Sequence, residues 1–170
     1  KFPYYKKLGY PEGVYRVGPL GRLNAVDQID TPLANAEFQR FKALNHGLPV
    51  ENTLHYHYAR LIETLFAAER ARILLEDPDI LSTDILNTHQ EPQEQGVGVI
   101  EAPRGTLIHH YWINAYGQIS KANLIVATGH NNYAMSKAVD DVAKTYVHGP
   151  DISEGMLNRV EHAIRAHDPC

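Results

Sequence analysis

The sequence predicts an α+β fold, mainly helical with a small antiparallel sheet, as a single domain over residues 1–170. Three observations carry that prediction. A long run, T-L-H-Y-H-Y-A-R-L-I-E-T-L-F-A-A-E-R-A-R-I-L-L-E-D-P, has the apolar spacing of a helix. The stretch from Gly96 to Thr128 changes to β-branched and aromatic residues, broken at Asn114-Ala115-Tyr116-Gly117 by a hairpin turn. Two further helical patterns follow it.

Residues 1–32 hold glycine or proline every few positions and read as an ordered but irregular segment anchored by aromatic side chains. A first helix is expected from Thr31-Pro32 to about Leu44, because proline suits a first helical turn. In the long helix, Leu54, Tyr58, Leu61, Ile62, Leu65 and Phe66 form the expected apolar stripe. Asn52 or Thr53 is placed to cap it and Pro78 ends it. Residues 79–95 are polar and read as a loop or short helix. Strands are expected near 97–101, 106–113 and 118–126, then helices near 134–146 and 153–166. Ser153 is the expected cap of the last, with Leu157, Val160 and Ile164 as its stripe.

Composition narrows the function. With 44% hydrophobic and 21% charged residues the chain is globular, and a net charge of -4 gives no basic footprint for nucleic acid or an anionic membrane. No apolar run approaches a transmembrane length, and one cysteine fits a reducing, cytoplasmic setting. His55 and His57 are two apart, which on a helix points them to different sides, so a zinc site there fails on spacing. His162 and His167 read as surface histidines.

Two stretches stand out. Glu101-Ala102-Pro103-Arg104-Gly105 breaks a strand with a proline-fixed turn. Ala102 must be extended ahead of proline, Gly105 permits a tight backbone path, and Arg104 places a permanent charge on the turn. Taken alone, Arg104 is an arginine in solvent, one paired with a nearby acid, or a cation aimed at a ligand. The other stretch is Asp168-Pro169-Cys170, which holds the sole thiol of the sequence. A thiolate is a soft ligand for nickel, zinc or iron, but one thiolate holds a metal only with help from elsewhere.

Together these stretches resemble the large subunit of nickel–iron hydrogenases. E-A-P-R-G-T-L-x-H-H-Y is similar to a motif of that family, and A-x-D-P-C to the start of its D-P-C-x-x-C-x-x-H motif. Y-R-V-G-P-L-G-R-L-N, H-Y-A-R-L-I-E, L-L-E-D-P-D-I-L-S-T, N-L-I-V-A-T-G-H-N-N and E-G-M-L-N-R-V-E agree as well, most closely with the soluble subgroup that couples hydrogen to nicotinamide reduction. The resemblance implies a fragment of a larger subunit, whose first cysteine pair lies upstream of Lys1 and whose last cysteine lies beyond Cys170.

The resemblance also assigns roles. Cys170 matches a terminal nickel ligand. Arg104 matches the arginine above the open face of the two metals, and Asp168 the carboxylate that orients it. Ala102 and Pro103 match residues packed around the carbon monoxide and cyanide ligands of the iron. Val126-Ala127-Thr128 aligns with a segment reading V-P-S or V-P-T in many relatives, where a hydroxyl and a backbone N–H bind a cyanide; here alanine replaces proline, which frees an N–H at Ala127, and Thr128 can still donate. Leu124 falls where the family places a backbone carbonyl near a magnesium ion. The implied activity is reversible splitting of hydrogen, with electrons passing first to an iron–sulfur small subunit, then through a diaphorase module to NAD. The fragment alone is expected to be inactive and to bind no metal.

Two other classes compete. A metal-free complex I-like subunit would share the fold, but those proteins typically carry lysine at the Arg104 position and lack D-P-C. A non-catalytic docking module for the iron–sulfur subunit would use the same surface without the chemistry.

Overall fold

A computed structural model describes residues 2–86, 91 and 93–169. Three helices open the chain: α1 (Pro19–Ala25), α2 (Pro32–Ala43) and α3 (His55–Glu76). A 3-10 turn at Pro78–Leu81 leads to strands β1 (Gln95–Ala102), β2 (Gly105–Ile113) and β3 (Ile119–Ile125). The short α4 (Ala127–His130), then α5 (Asn132–Tyr146) and α6 (Glu154–Ala166), complete the α+β order.

The helices supply the core. Leu20 and Leu23 of α1, Phe38 and Phe41 of α2, Tyr56, Ala59 and Ile62 of α3, Val50 and Ala166 of α6 form one buried cluster. This overturns part of the expected α3 stripe, since Leu54 and Leu61 face solvent while Tyr56 and Ala59 are enclosed. The cause is that α3 is apolar on more than one face. α1 and α2 both pack on it and select the face bearing small Ala59, which lets the backbones approach. The α6 stripe shifts likewise: Ala163 and Ala166 are buried, and Leu157 is half exposed.

Capping follows local chemistry. The α2 start is held from α3, where the Glu69 carboxylate accepts the N–H groups of Leu33 at 3.1 Å and Ala34 at 2.9 Å. Asn52 accepts the Leu54 N–H at 3.0 Å, closing a turn just before α3 rather than capping the helix itself. Ser153 caps α6 as expected, accepting the Met156 N–H at 3.4 Å. Residues 17–25 depart from expectation: the Gly-Pro pair that reads as irregular starts α1, with Gly18 at φ 90° and Pro19 as the first helical residue. The four-residue α4 also lacked a sequence signal.

The sheet is antiparallel in the order β1-β2-β3. Asn114 closes the far turn, its side-chain oxygen accepting from the N–H groups of Tyr116 and Gln118. Trp112 pairs with Lys121 but Ile113 with Ile119, so Ser120 is an extra residue in β3. The near corner is tighter: Ala102 pairs with Gly105, leaving Pro103-Arg104 as a two-residue loop.

Ile62→Ala in this chain should lower unfolding free energy by about 2–5 kcal/mol, whereas Leu61→Ala should change it by less than ~0.5 kcal/mol. Urea titrations of both variants check this, and equal losses would restore the face expected from the sequence.

Candidate functional site at the hairpin corner

The corner between β1 and β2 is where the two marked sequence stretches meet. Arg104 Nε donates to the Asp168 carbonyl at 3.0 Å and lies 3.2 Å from the Asp168 carboxylate Oδ2. Residues 64 apart are therefore joined by one nitrogen that hydrogen-bonds a backbone oxygen and forms an ion pair with a side chain. Asp168 sits just past α6 with φ 49°, its N–H bonded to the Arg165 carbonyl at 3.0 Å. That left-handed step turns the chain out of the helix toward Pro169. Cys170 lies outside the described residues.

The corner itself is fixed by a side chain that sequence reasoning missed. The Arg22 guanidinium, from α1, forks onto Glu63 of α3 through Nε at 2.6 Å and Nη2 at 2.7 Å. The same group reaches the carbonyls of Ala102 and Pro103, each at 2.9 Å, and the Glu101 carboxylate at 3.0 Å. Ala102 and Pro103, expected to pack beside a cofactor, are thus held from behind through their carbonyl oxygens. The Glu101 carboxylate also accepts from the Thr106 hydroxyl, closing the base of the loop.

A second contact locks the corner against the segment before α1. Gly105 has φ 134°, and a Cβ there would meet the Val17 side chain and lie 3.0 Å from the Gly18 nitrogen. A Cβ on Gly18 would lie 2.9 Å from the Arg104 carbonyl oxygen. Two glycines are required because two backbones touch. Val17 is held in turn by Asn131, which accepts its N–H at 2.9 Å and donates to its carbonyl at 3.1 Å. The Tyr56 hydroxyl donates to that carbonyl at 3.0 Å.

The remaining expected residues are placed around this frame. Ala127 is buried at the start of α4, and Thr128 is half-buried behind it. His130 closes α4 and meets the Tyr15 hydroxyl at 2.6 Å. Burial lowers the His130 imidazole pKa, and the Thr106 backbone and the Glu101 charge act in the opposite direction. Leu124 pairs with His109 of β2. Four residues from Gly105 at strand rise place it about 13 Å from the corner, away from Arg104. His55 is partly buried and His57 exposed, as their spacing implied.

His167 corrects an expectation, being buried rather than on the surface. Its ring packs on Tyr56 with centroids 4.8 Å apart, because the Arg60 guanidinium bonds the Ala166 carbonyl at 3.1 Å and draws the end of α6 inward. Burial pushes its pKa down to about 4, and the Arg16 and Arg60 charges push the same way.

The corner joins the two stretches that carry the resemblance to nickel–iron hydrogenases: a permanent cation paired with a carboxylate, on a glycine-locked loop beside a segment ending in D-P-C. The family model described as "Nickel-dependent hydrogenase" matches residues 1–170, and the chain belongs to that family. It is 48% identical over 174 residues to the NAD-reducing hydrogenase HoxS subunit beta of Cupriavidus necator, covering 100% of this chain and 36% of that protein. It is 51% identical over 144 residues to a chain of the vhu F420-non-reducing hydrogenase of Methanocaldococcus jannaschii, covering 85% of this chain and 34% of that protein. Among solved structures, an NAD+-reducing [NiFe]-hydrogenase in the H2-reduced state matches with TM-score 0.93 and 48% identity, over 99% of this chain and 37% of the other. The chain therefore spans just over a third of the length of these relatives.

A thiolate and a cation–carboxylate pair are of the chemistry that a nickel–iron centre uses. Among the described residues no group of three or more His, Cys, Asp or Glu side chains converges as a metal site. The soft donor in this sequence is the Cys170 thiolate, and the Arg104–Asp168 pair stands at the start of the D-P-C segment that carries it. No helix among the described residues is long and apolar enough to cross a membrane.

Two outcomes follow from this geometry. Gly105→Ala should destabilise the chain by about 1–3 kcal/mol, through its positive φ and the Val17 contact, as read by chemical denaturation. For His167, the unfolded imidazole takes up a proton near 6.5 while the folded one waits until about 4. Stability should be level above that upper value, fall as pH drops through the window, and level again below it. This group alone removes about 3 kcal/mol. His167→Phe should flatten that segment of the stability–pH profile; an unchanged slope would assign it to other groups.

Proposed function

We propose that this chain is part of a nickel–iron hydrogenase large subunit, in which it supplies the arginine–aspartate rim and one thiolate ligand of the metal centre. The observation that carries the reading is the Arg104–Asp168 pair, held at a two-residue corner immediately before Pro169 and Cys170. The centre, nickel and iron with carbon monoxide and cyanide on the iron, would supply the Lewis acidity and redox capacity for splitting hydrogen. Cys170 Sγ would bind nickel. The Thr128 hydroxyl and Ala127 N–H would donate to a cyanide, as anionic acceptors in a dry pocket favour. Leu124 would offer a carbonyl to a magnesium ion.

The chain's own part in the reaction is electrostatic and positional. Arg104 places a fixed positive charge beside a hydrogen molecule as it polarises, where a preoriented charge in a dry site acts most strongly. Asp168 keeps that guanidinium from swinging away, since its carbonyl accepts from Nε and its carboxylate forms an ion pair with the same nitrogen. The released proton would be taken at the Cys170 thiolate, because the Arg104 guanidinium already carries its full set of protons. Electrons leave through an iron–sulfur subunit, then reach NAD through a diaphorase module. The name of the Cupriavidus relative, an NAD-reducing hydrogenase, supports this acceptor. The 170-residue chain alone, carrying one thiolate, would be inactive.

Arg104→Lys in the full subunit should cut hydrogen uptake by about 10²- to 10³-fold while nickel and iron content stay at wild-type levels. Loss of metal together with activity would make the residue structural and remove the catalytic assignment.

A further inference from the structure

We infer that Arg22 is the positioning residue for Arg104, setting the aim of its guanidinium by clamping the two carbonyls that precede it. The inference rests on the reading of Arg104 given above. Ala102 and Pro103 are the residues before Arg104, and proline contributes no N–H to the ladder. Their carbonyls instead accept from Arg22 Nη1 and Nη2, each at 2.9 Å. Any rotation of the Pro103–Arg104 peptide moves the Pro103 carbonyl and must break its bond to Nη2.

The clamp is itself immobilised. Glu63 engages the Nε and Nη2 edge of the guanidinium in a two-point fork, so the guanidinium plane is fixed relative to α3. α3 is anchored in the core through Tyr56, Ala59 and Ile62. The path is therefore continuous: core, α3, Glu63, Arg22, corner carbonyls, Arg104. The Arg22 guanidinium is occupied by Glu63, Glu101 and the two carbonyls, so its action on the rim passes through the backbone of the corner.

Lysine cannot replace it. An ammonium is a point donor, and it cannot span the Glu63 carboxylate and two carbonyls from one plane. Arg22→Lys keeps the charge and the stem, and loses the fork.

The experiment is a double-mutant cycle on the full large subunit in complex with its iron–sulfur partner: Arg22→Lys, Arg104→Lys and the pair. Four quantities are read: hydrogen-uptake kcat, nickel per complex, thermal midpoint, and hydrogen exchange of the peptide spanning 101–106. Arg22→Lys should lower kcat by about 10- to 100-fold, the scale of a small misplacement at a reacting centre. Nickel content should hold, and exchange at 101–106 should rise while that of 108–112 does not. The double variant should be no slower than Arg104→Lys alone, because Arg22 has nothing left to aim. Multiplied losses in the double variant would overturn the inference, since a general structural defect compounds. So would full turnover in Arg22→Lys with a loosened corner. Should Arg22→Lys fail to assemble, Glu63→Gln loosens the same fork, and unchanged kcat in that loaded variant would equally overturn it. Full turnover in Arg104→Lys alone would sink the underlying functional reading instead, a result read independently of either Arg22 or Glu63.

Discussion

The structure around the corner depends on one guanidinium. Arg22 draws α1, α3 and both ends of the Ala102–Pro103 turn to a single plane. The Arg22 and Glu63 side chains each keep about a quarter of their surface. Partly dehydrated charges of this kind are stable only when their hydrogen-bonding positions are filled. That demand explains why two carbonyls and two carboxylates converge there. A guanidinium offers five donors in a fixed plane, so satisfying it fixes the geometry of everything it touches. The Val17–Gly18 contact with Gly105 then prevents the corner from lifting away, because no side chain separates the two backbones.

This places rigidity at one end of the sheet. β1 and β3 are exposed along nearly their whole length, with Val97, Val99 and Ile100 open to solvent, and the far turn carries Tyr116 almost fully exposed. The tertiary hydrogen bonds from Arg22 hold the hairpin at its base, and Arg104 sits there. A Cβ at Gly96 or Gly98 would meet open space, so no side chain from these positions packs β1 against the helices. The sheet is ordered by its ladder, and the corner by tertiary contacts.

The fold class, the three strands, the Asn114–Gly117 turn, the Ser153 cap and the α2 boundaries were legible because each has a local cause within a few residues. The α3 and α6 faces were less so. Both helices carry leucines or other large apolar residues on more than one side, and the choice of buried side is made by small residues, Ala59, Ala163 and Ala166, that permit close approach. The pairing of Arg104 with Asp168 was expected from the resemblance and is found as an ion pair. Arg22 and Glu63 lie in or at the edges of Y-R-V-G-P-L-G-R-L-N and H-Y-A-R-L-I-E, yet nothing in either motif says that they meet. An arginine 41 residues from a glutamate has no sequence signature. His167 was misplaced for the same reason, since its burial is set by Arg60 across the helix interface and not by its neighbours in the chain.

A common rule runs through the arginines of this region. Arg16 donates to the Glu51 carbonyl, Arg22 to Ala102 and Pro103, Arg60 to Ala166, and Arg104 to Asp168. Each acceptor lies in a turn or at the end of a helix or strand, where the backbone leaves the regular ladder and its carbonyl needs another donor. A site assembled from turns is thereby given fixed geometry without added secondary structure. The consequence is a concentration of positive charge, which Glu63, Glu101 and Asp168 offset only in part. His167 lies among these guanidiniums near Arg16 and Arg60, and a protonated ring there would add a further cation with its hydration removed. Its depressed pKa follows first from burial, and the Arg16 and Arg60 guanidiniums that stiffen the irregular backbone add to it, so the same construction favours the neutral imidazole beside the D-P-C segment.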